Sequence, residues 1–129
     1  MEKSETFENL KCWQLAYTLK KELKIKVLPQ IPNSEKYDLK SQLLRAARSV
    51  TANIAEGWGR FHYLDSNKFY YNARGSISEI LDHLIVAKDE NYISNETYLH
   101  FREMVLESLK VLNGFIYYLK KENSNNKNP

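Results

Sequence analysis

The chain has 129 residues, 43% hydrophobic and 27% charged, which suffices for one domain with its own core and is not the composition of a disordered chain. A single cysteine, Cys12, excludes an internal disulfide framework, leaves a cysteine-based zinc site unsupported, and fits a reducing, cytoplasmic setting. No apolar run approaches the ~20 residues of a membrane-spanning helix, the opening Met1-Glu2-Lys3-Ser4-Glu5 is too polar for a signal peptide, and a net charge of +3 is only mildly basic.

Only 4 Gly and 3 Pro punctuate the chain, which favours long helices over the many turns of a sheet protein. The first helix is expected over about 8–28, closed by Pro29 and Pro32. Cys12, Ala16, Leu19, Leu23 and Val27 form its apolar stripe, and Leu10, Trp13, Tyr17 and Leu28 a second one beside it. The second helix is expected over about 36–57, capped by Ser34 or Asp38, with Leu39, Leu43, Ala46, Ala47, Val50 and Ile54 inward. Gly57 and Gly59 are expected to end it in the left-handed conformation, with the aromatic stretch 58–63 as the turn.

The third helix is expected over about 65–91, with Phe69, Ala73, Ile77, Ile80, Leu84 and Ala87 on the inner face. Gly75 lies mid-helix, where glycine costs ~1 kcal/mol against alanine; a close approach by another helix is its simplest explanation. Ser94 caps a fourth helix over about 94–121. Tyr98, Phe101, Val105, Leu109, Leu112, Ile116 and Leu119 are its core stripe, with Met104, Val111, Phe115 and Tyr118 alongside. The polar tail 123–129 is expected to be disordered. The fold class is therefore all-α, an antiparallel up-and-down four-helix bundle in one domain over 1–122. The second stripes exceed what one bundle interior needs, so Trp13, Tyr17, Met104, Val111, Phe115 and Tyr118 form a candidate oligomer surface.

Signs of catalysis are sparse. A di-iron bundle needs paired Glu-x-x-His elements, and none occurs. His62, His83 and His100 are scattered and read as lone surface histidines. Glu79 and His83, four apart, can touch and could act as an acid–base pair, but no nucleophile or oxyanion motif accompanies them. Gly57-Trp58-Gly59 lacks the lysine and the preceding strand of a phosphate-binding loop. The expectation is a non-enzyme without metal, cofactor or small-molecule substrate.

Two polar features stand out. Gln42, Arg45, Ser49, Asn53 and Glu56 share one side of the second helix, and Asn72, Ser76, Glu79 and His83 one side of the third. These rows either interlock as a polar seam or remain two solvated faces. The other feature is basic: Lys20, Lys21, Lys24 and Lys26 crowd the end of the first helix, and Arg45, Arg48, Arg60 and Arg74 add guanidinium groups suited to phosphate. The lysines also simply suit a helix C-terminus.

The run Gln42-Leu43-Leu44-Arg45-Ala46-Ala47-Arg48-Ser49-Val50-Thr51-Ala52-Asn53-Ile54-Ala55-Glu56-Gly57-Trp58-Gly59-Arg60 resembles the central motif of a bacterial family, the four-helix-bundle proteins encoded in intervening sequences of large-subunit ribosomal RNA genes. The run Ala73-Arg74-Gly75-Ser76-Ile77-Ser78-Glu79 and the segment around Trp13-Gln14-Leu15-Ala16 are similar too, and the resemblance covers 7–119. It implies a bundle assembled into a ring-like homopentamer, with kinship to the basic accessory variability protein of diversity-generating retroelements, which works with a reverse transcriptase and RNA. Two residues depart from the family pattern: Leu44 stands where a second arginine is frequent, and Thr51 where a proline is common. Two functional expectations follow: a homo-oligomeric adaptor that binds RNA or a nucleic-acid enzyme through basic faces, or a structural or protein-interaction module with no nucleic acid at all. Catalysis through Glu79 and His83 is the third and weakest.

Overall fold

The computed structural model describes residues 6–60 and 62–127, the side chains of 126 and 127 excepted. Helix α1 spans Lys11–Glu22 and continues into a π-helical turn, Leu23–Val27, and a 3-10 turn, Leu28–Gln30. The π turn closes when the Leu28 N–H reaches back to the Leu23 carbonyl. It stands just ahead of Pro29, whose ring in a plain α-helix would meet the carbonyl four residues earlier. The helix expected over 8–28 thus starts only at Lys11, after a 3-10 turn at Phe7–Asn9 and an extended Leu10, and changes its winding over its last third. The stripe Cys12, Ala16, Leu19, Leu23 and Val27 is nevertheless buried throughout.

Helix α2 runs Leu39–Gly59, later at both ends than expected. Asp38 precedes it but offers no side-chain cap; the Glu35 carboxylate instead accepts from the Leu39 N–H at 3.4 Å. Gly57 and Gly59 do not end the helix in the left-handed region, since no described glycine has positive φ. Gly57 serves a different need. A Cβ there would lie 2.7 Å from Tyr70 Cε1 and 3.1 Å from the Ser66 carbonyl oxygen, so the missing side chain lets α2 and the next helix close. Phe61, within the predicted aromatic turn, lies outside the described residues.

Helix α3 spans Tyr63–Asp89. Its inner face is Tyr70, Ala73, Ile77, Ile80, Leu84 and Ala87; Tyr70 and not Phe69 opens the stripe, because 70, 73 and 77 keep the helical spacing with the rest. Asn91 terminates it at φ 63, with Asn91 N–H on the Lys88 carbonyl and Tyr92 N–H on the Ala87 carbonyl. This is a Schellman ending in which asparagine takes the left-handed place usually given to glycine. Gly75 is corrected as well: a Cβ there would meet nothing within 4 Å, so no helix of this chain approaches it.

Helix α4 spans Asn95–Lys127, and Ser94 Oγ caps it by accepting from the Thr97 N–H at 3.0 Å. It continues past the predicted end at 121, so the described part of the tail, 123–127, is helical and not disordered; adding a residue to an existing helix gains a hydrogen bond for each residue fixed. Residues 128 and 129 lie outside the described residues. Helix α2 packs along α3 and α3 along α4, while α1 packs against both α2 and α4. Four long helices thus surround one core, with Phe101, Leu19, Leu43, Ile77 and Leu112 among its fully buried side chains. Among the described residues there is no strand, and no helix is long and apolar enough to cross a membrane.

Candidate nucleic-acid interface

The basic residues singled out in the sequence divide into two sets. Lys20, Lys21 and Lys24, from α1 and the π turn, meet Arg48 of α2 around one cavity of about 260 Å³, with Leu44 as its apolar wall. Successive helical turns put 20, 21 and 24 on one side of the first helix, and 44 and 48 on one side of α2. Lys20 Nζ donates to Thr51 Oγ1 at 3.1 Å, and Thr51 Oγ1 donates to the Arg48 carbonyl oxygen at 3.2 Å. Thr51 is buried and anchors the edge of the cluster through its bond to Lys20. The Lys20 and Lys21 ammonium groups lie 5.7 and 5.0 Å from the centre of the Tyr17 ring.

No acid lines this cavity, and among the described residues none of its cations pairs with a carboxylate. The cost shows at Lys20. Partial burial first, and then the neighbouring Arg48 guanidinium, hold its pKa below the usual lysine value. Like charges gathered without a counterion favour an incoming anion, and ammonium and guanidinium donors match phosphate oxygens.

The other cations are engaged elsewhere. Lys26 Nζ pairs with Glu22 at 2.9 Å, and Arg60 pairs with Glu56 at 2.8 Å while covering the Phe69 ring at 4.9 Å. Arg74 donates to Asn113 Oδ1 at 3.2 Å and lies over Tyr71 at 4.6 Å. Arg45 reaches only Ser41 Oγ, at 3.4 Å. The polar rows meet at one point: Ser76 Oγ donates to Ser49 Oγ at 2.8 Å, and Asn53 Nδ2 donates to Ser49 Oγ at 3.0 Å and to the Ser49 carbonyl at 2.9 Å. Gln42 turns instead to Asp38, and Glu56 to Arg60.

His62 and His100 are exposed, but His83 is only 8% exposed and is no surface histidine. It follows Ile80 by three positions on the side of α3 facing α2, so the core stripe carries it inward. Its Nε2 is 3.8 Å from Glu79 Oε2, beyond hydrogen-bond reach. Among the described residues no three His, Cys, Asp or Glu side chains converge to hold a metal ion.

The apolar surface residues also separate. Trp13 stacks on Tyr17 with ring centres 4.9 Å apart and tilts against Phe7, and Phe115 meets Tyr70 edge-on at 5.1 Å. Trp13, Met104, Val111 and Phe115 are partly buried against the core, whereas Tyr17 and Tyr118 are exposed. Sequence reasoning missed Leu44 as the wall of the basic cavity and Thr51 as the partner of Lys20, although their spacing of four and three from Arg48 was a usable signal. It also missed Tyr117, 63% exposed beside Tyr118.

Among curated proteins the chain has no match. The family model described as 23S rRNA-intervening sequence protein matches residues 8–114, which take in α1, α2, α3 and most of α4 together with every residue of the basic cavity. By that match the chain belongs to the 23S rRNA-intervening sequence protein family.

Proposed function

We propose that the chain is a non-catalytic adaptor of the cytoplasm, an up-and-down antiparallel bundle that assembles into a ring-like homo-oligomer and binds RNA through its basic face. The carrying observation is the convergence of Lys20, Lys21, Lys24 and Arg48 on one acid-free cavity. A cluster this small binds phosphate weakly, and repetition around an oligomer raises the overall avidity without new contacts. A homopentamer and kinship to the retroelement accessory protein belong to the same reading. Light scattering with and without a mixed RNA pool tests it. A pentamer-sized particle should gain mass with RNA at low salt. With four phosphate contacts per subunit, site affinity should fall roughly fifty-fold between 50 and 200 mM salt. A particle indifferent to RNA at low salt refutes the reading.

A second reading, a protein-interaction module without nucleic acid, draws on the apolar wall at Leu44 and on the exposed pair Tyr117 and Tyr118. Recovery of one stable protein partner, lost when both tyrosines are replaced by serine, together with no RNA binding, favours it.

A further inference from the structure

The side of the bundle where α3 and α4 meet carries a second concentration of positive charge, and there it is mixed with aromatic rings. Arg74 Nη1 donates to Asn113 Oδ1 at 3.2 Å, which ties the two helices at one point of their outer seam. From that point the contacts step in opposite directions along the helices: Tyr70 meets Phe115, and Lys88 lies over Tyr98. Tyr71, one turn before Arg74, and Tyr117, one turn after Asn113, therefore lie toward the same end of the seam. Lys110, Asn113, Tyr117 and Lys121 share one face of α4 by their spacing of three and four.

Each ring has a cation against it. The Arg74 guanidinium carbon is 4.6 Å from the centre of Tyr71, and Lys121 Nζ is 5.7 Å from the centre of Tyr117. Neither ring is closed off by its cation, since Tyr71 is 38% and Tyr117 63% exposed. Among the described residues none of Arg74, Lys110 and Lys121 pairs with a carboxylate, not even Lys121 with the adjacent Glu122. The α4 acids Glu103 and Glu107 lie on its other flank, around a cavity shared with Leu15 and Thr18 of α1. Tyr118 also turns away, toward Leu10 and Trp58.

Lysine is depleted where two proteins meet, whereas free lysines flank these rings, so the mixture favours a polyanion that also presents flat apolar faces. We propose that this face is a stacking platform for the unpaired bases of single-stranded RNA. Bases lie against Tyr117 and against the Tyr71–Arg74 pair, because a phenol ring and a guanidinium plane both serve as stacking surfaces. Lys110 and Lys121 take the phosphates on either side. A duplex keeps its base faces stacked on one another, so the platform selects unpaired segments. The inference rests on the RNA reading above for the class of partner, yet it shares no residue with the basic cavity, which meets phosphate alone.

The full chain is titrated at one low salt concentration against labelled RNAs of equal length, read by fluorescence anisotropy. The probes are a ~10-nucleotide strand without self-complementarity, within the span of one stacking surface, the same strand made abasic throughout, and a duplex. The intact single strand is expected to bind tightest. Tyr71→Leu and Tyr117→Leu should each weaken it about tenfold, the loss of one stacked base. The same variants should bind the abasic strand as the unaltered chain does, which also shows that they are folded. Tyr71→Phe and Tyr117→Phe keep the ring and should retain full binding of the intact strand. An abasic strand bound as tightly as the intact one overturns the proposal, and so do leucine variants that bind the intact strand fully. If binding of every RNA then falls with Lys20→Gln and Arg48→Gln, the basic cavity stands without the platform. Tyrosine-dependent binding that is indifferent to those two changes leaves the platform without the cavity, and an intact strand that does not bind at all overturns both.

Discussion

Replacing Gly57 by alanine sets two opposed effects against each other in the last turn of α2. Alanine gains about 1 kcal/mol over glycine from helix propensity. The added Cβ, however, would lie 2.7 and 2.8 Å from Cε1 and Cζ of Tyr70, and 3.1 Å from the Ser66 carbonyl. Tyr70 cannot swing aside freely, because it is 2% exposed and Phe115 abuts it edge-on. Overpacking of a closed site costs up to about 3 kcal/mol, so the net loss reaches about 2 kcal/mol. For a chain of this length that lowers the melting temperature by about 8 °C. Gly75→Ala is the matched control. A Cβ there meets nothing, the propensity gain stands alone, and the melting temperature should rise by about 4 °C. Thermal unfolding followed by circular dichroism at one protein concentration reads both. A Gly57→Ala variant as stable as Gly75→Ala would refute the claim that the glycine exists to admit Tyr70.

Leu44→Arg adds a guanidinium at the wall of the basic cavity; it should increase RNA affinity and steepen the salt dependence by roughly 0.7 in the log–log slope, one more phosphate contact, as read by fluorescence anisotropy across a salt series. The Cys12 thiol is pushed up to about 11 by burial, so it should resist a thiol reagent at pH 8 in the folded protein and react at once in denaturant. Burial likewise pushes the Tyr70 phenol up to about 12. Both groups favour the neutral form in the folded state, so their contribution is intact below pH 9 and is lost as pH rises from 9 to 12; urea midpoints measured across that range should fall, and a flat profile would contradict it. A double-mutant cycle on Ser49→Ala and Ser76→Ala should return a coupling of about 1 kcal/mol from the 2.8 Å hydrogen bond between them, and zero coupling would mean that the seam contributes nothing.

The helices were legible because each core stripe keeps one spacing: every inward residue predicted for α1 and α2 is buried. The endings were less so. Gly57 reads as a helix stop by residue type, yet its role depends on Tyr70 of the next helix, and no local pattern carries a contact across 13 positions. The end of α3 fell to Asn91, whose left-handed conformation is uncommon enough outside glycine to escape notice. At the basic site the residue types were visible and their grouping was not. Lys26 and Arg60 resemble Lys24 and Arg48 in sequence, but each has an acid four residues earlier on its own helix, Glu22 and Glu56, that neutralises it. That spacing is readable without a structure and would have separated the free cations from the paired ones. His83 was misjudged because a polar residue beside a core stripe can fall on either side of the boundary of burial.

The π turn at Leu23–Val27 holds one residue more than an α turn closing over the same stretch. It behaves as a spliced-in residue, and it can be removed. Ile25, 63% exposed at the centre of the turn, contributes little to the core. Deleting it would leave Leu23 and Val27 three positions apart, still on one helical face, while bringing Pro29 one step nearer. The turn also separates two neighbouring lysines: Lys24 faces the cavity shared with α2, whereas Lys26 borders a different cavity beside the start of α4. A shortened chain would keep Lys20, Lys21 and Lys24, which all precede the deletion, on the cavity shared with α2. It would turn Lys26 to a new position around the axis. A change of one residue in length therefore redirects the charge that follows the turn while leaving the basic face and the scaffold in place.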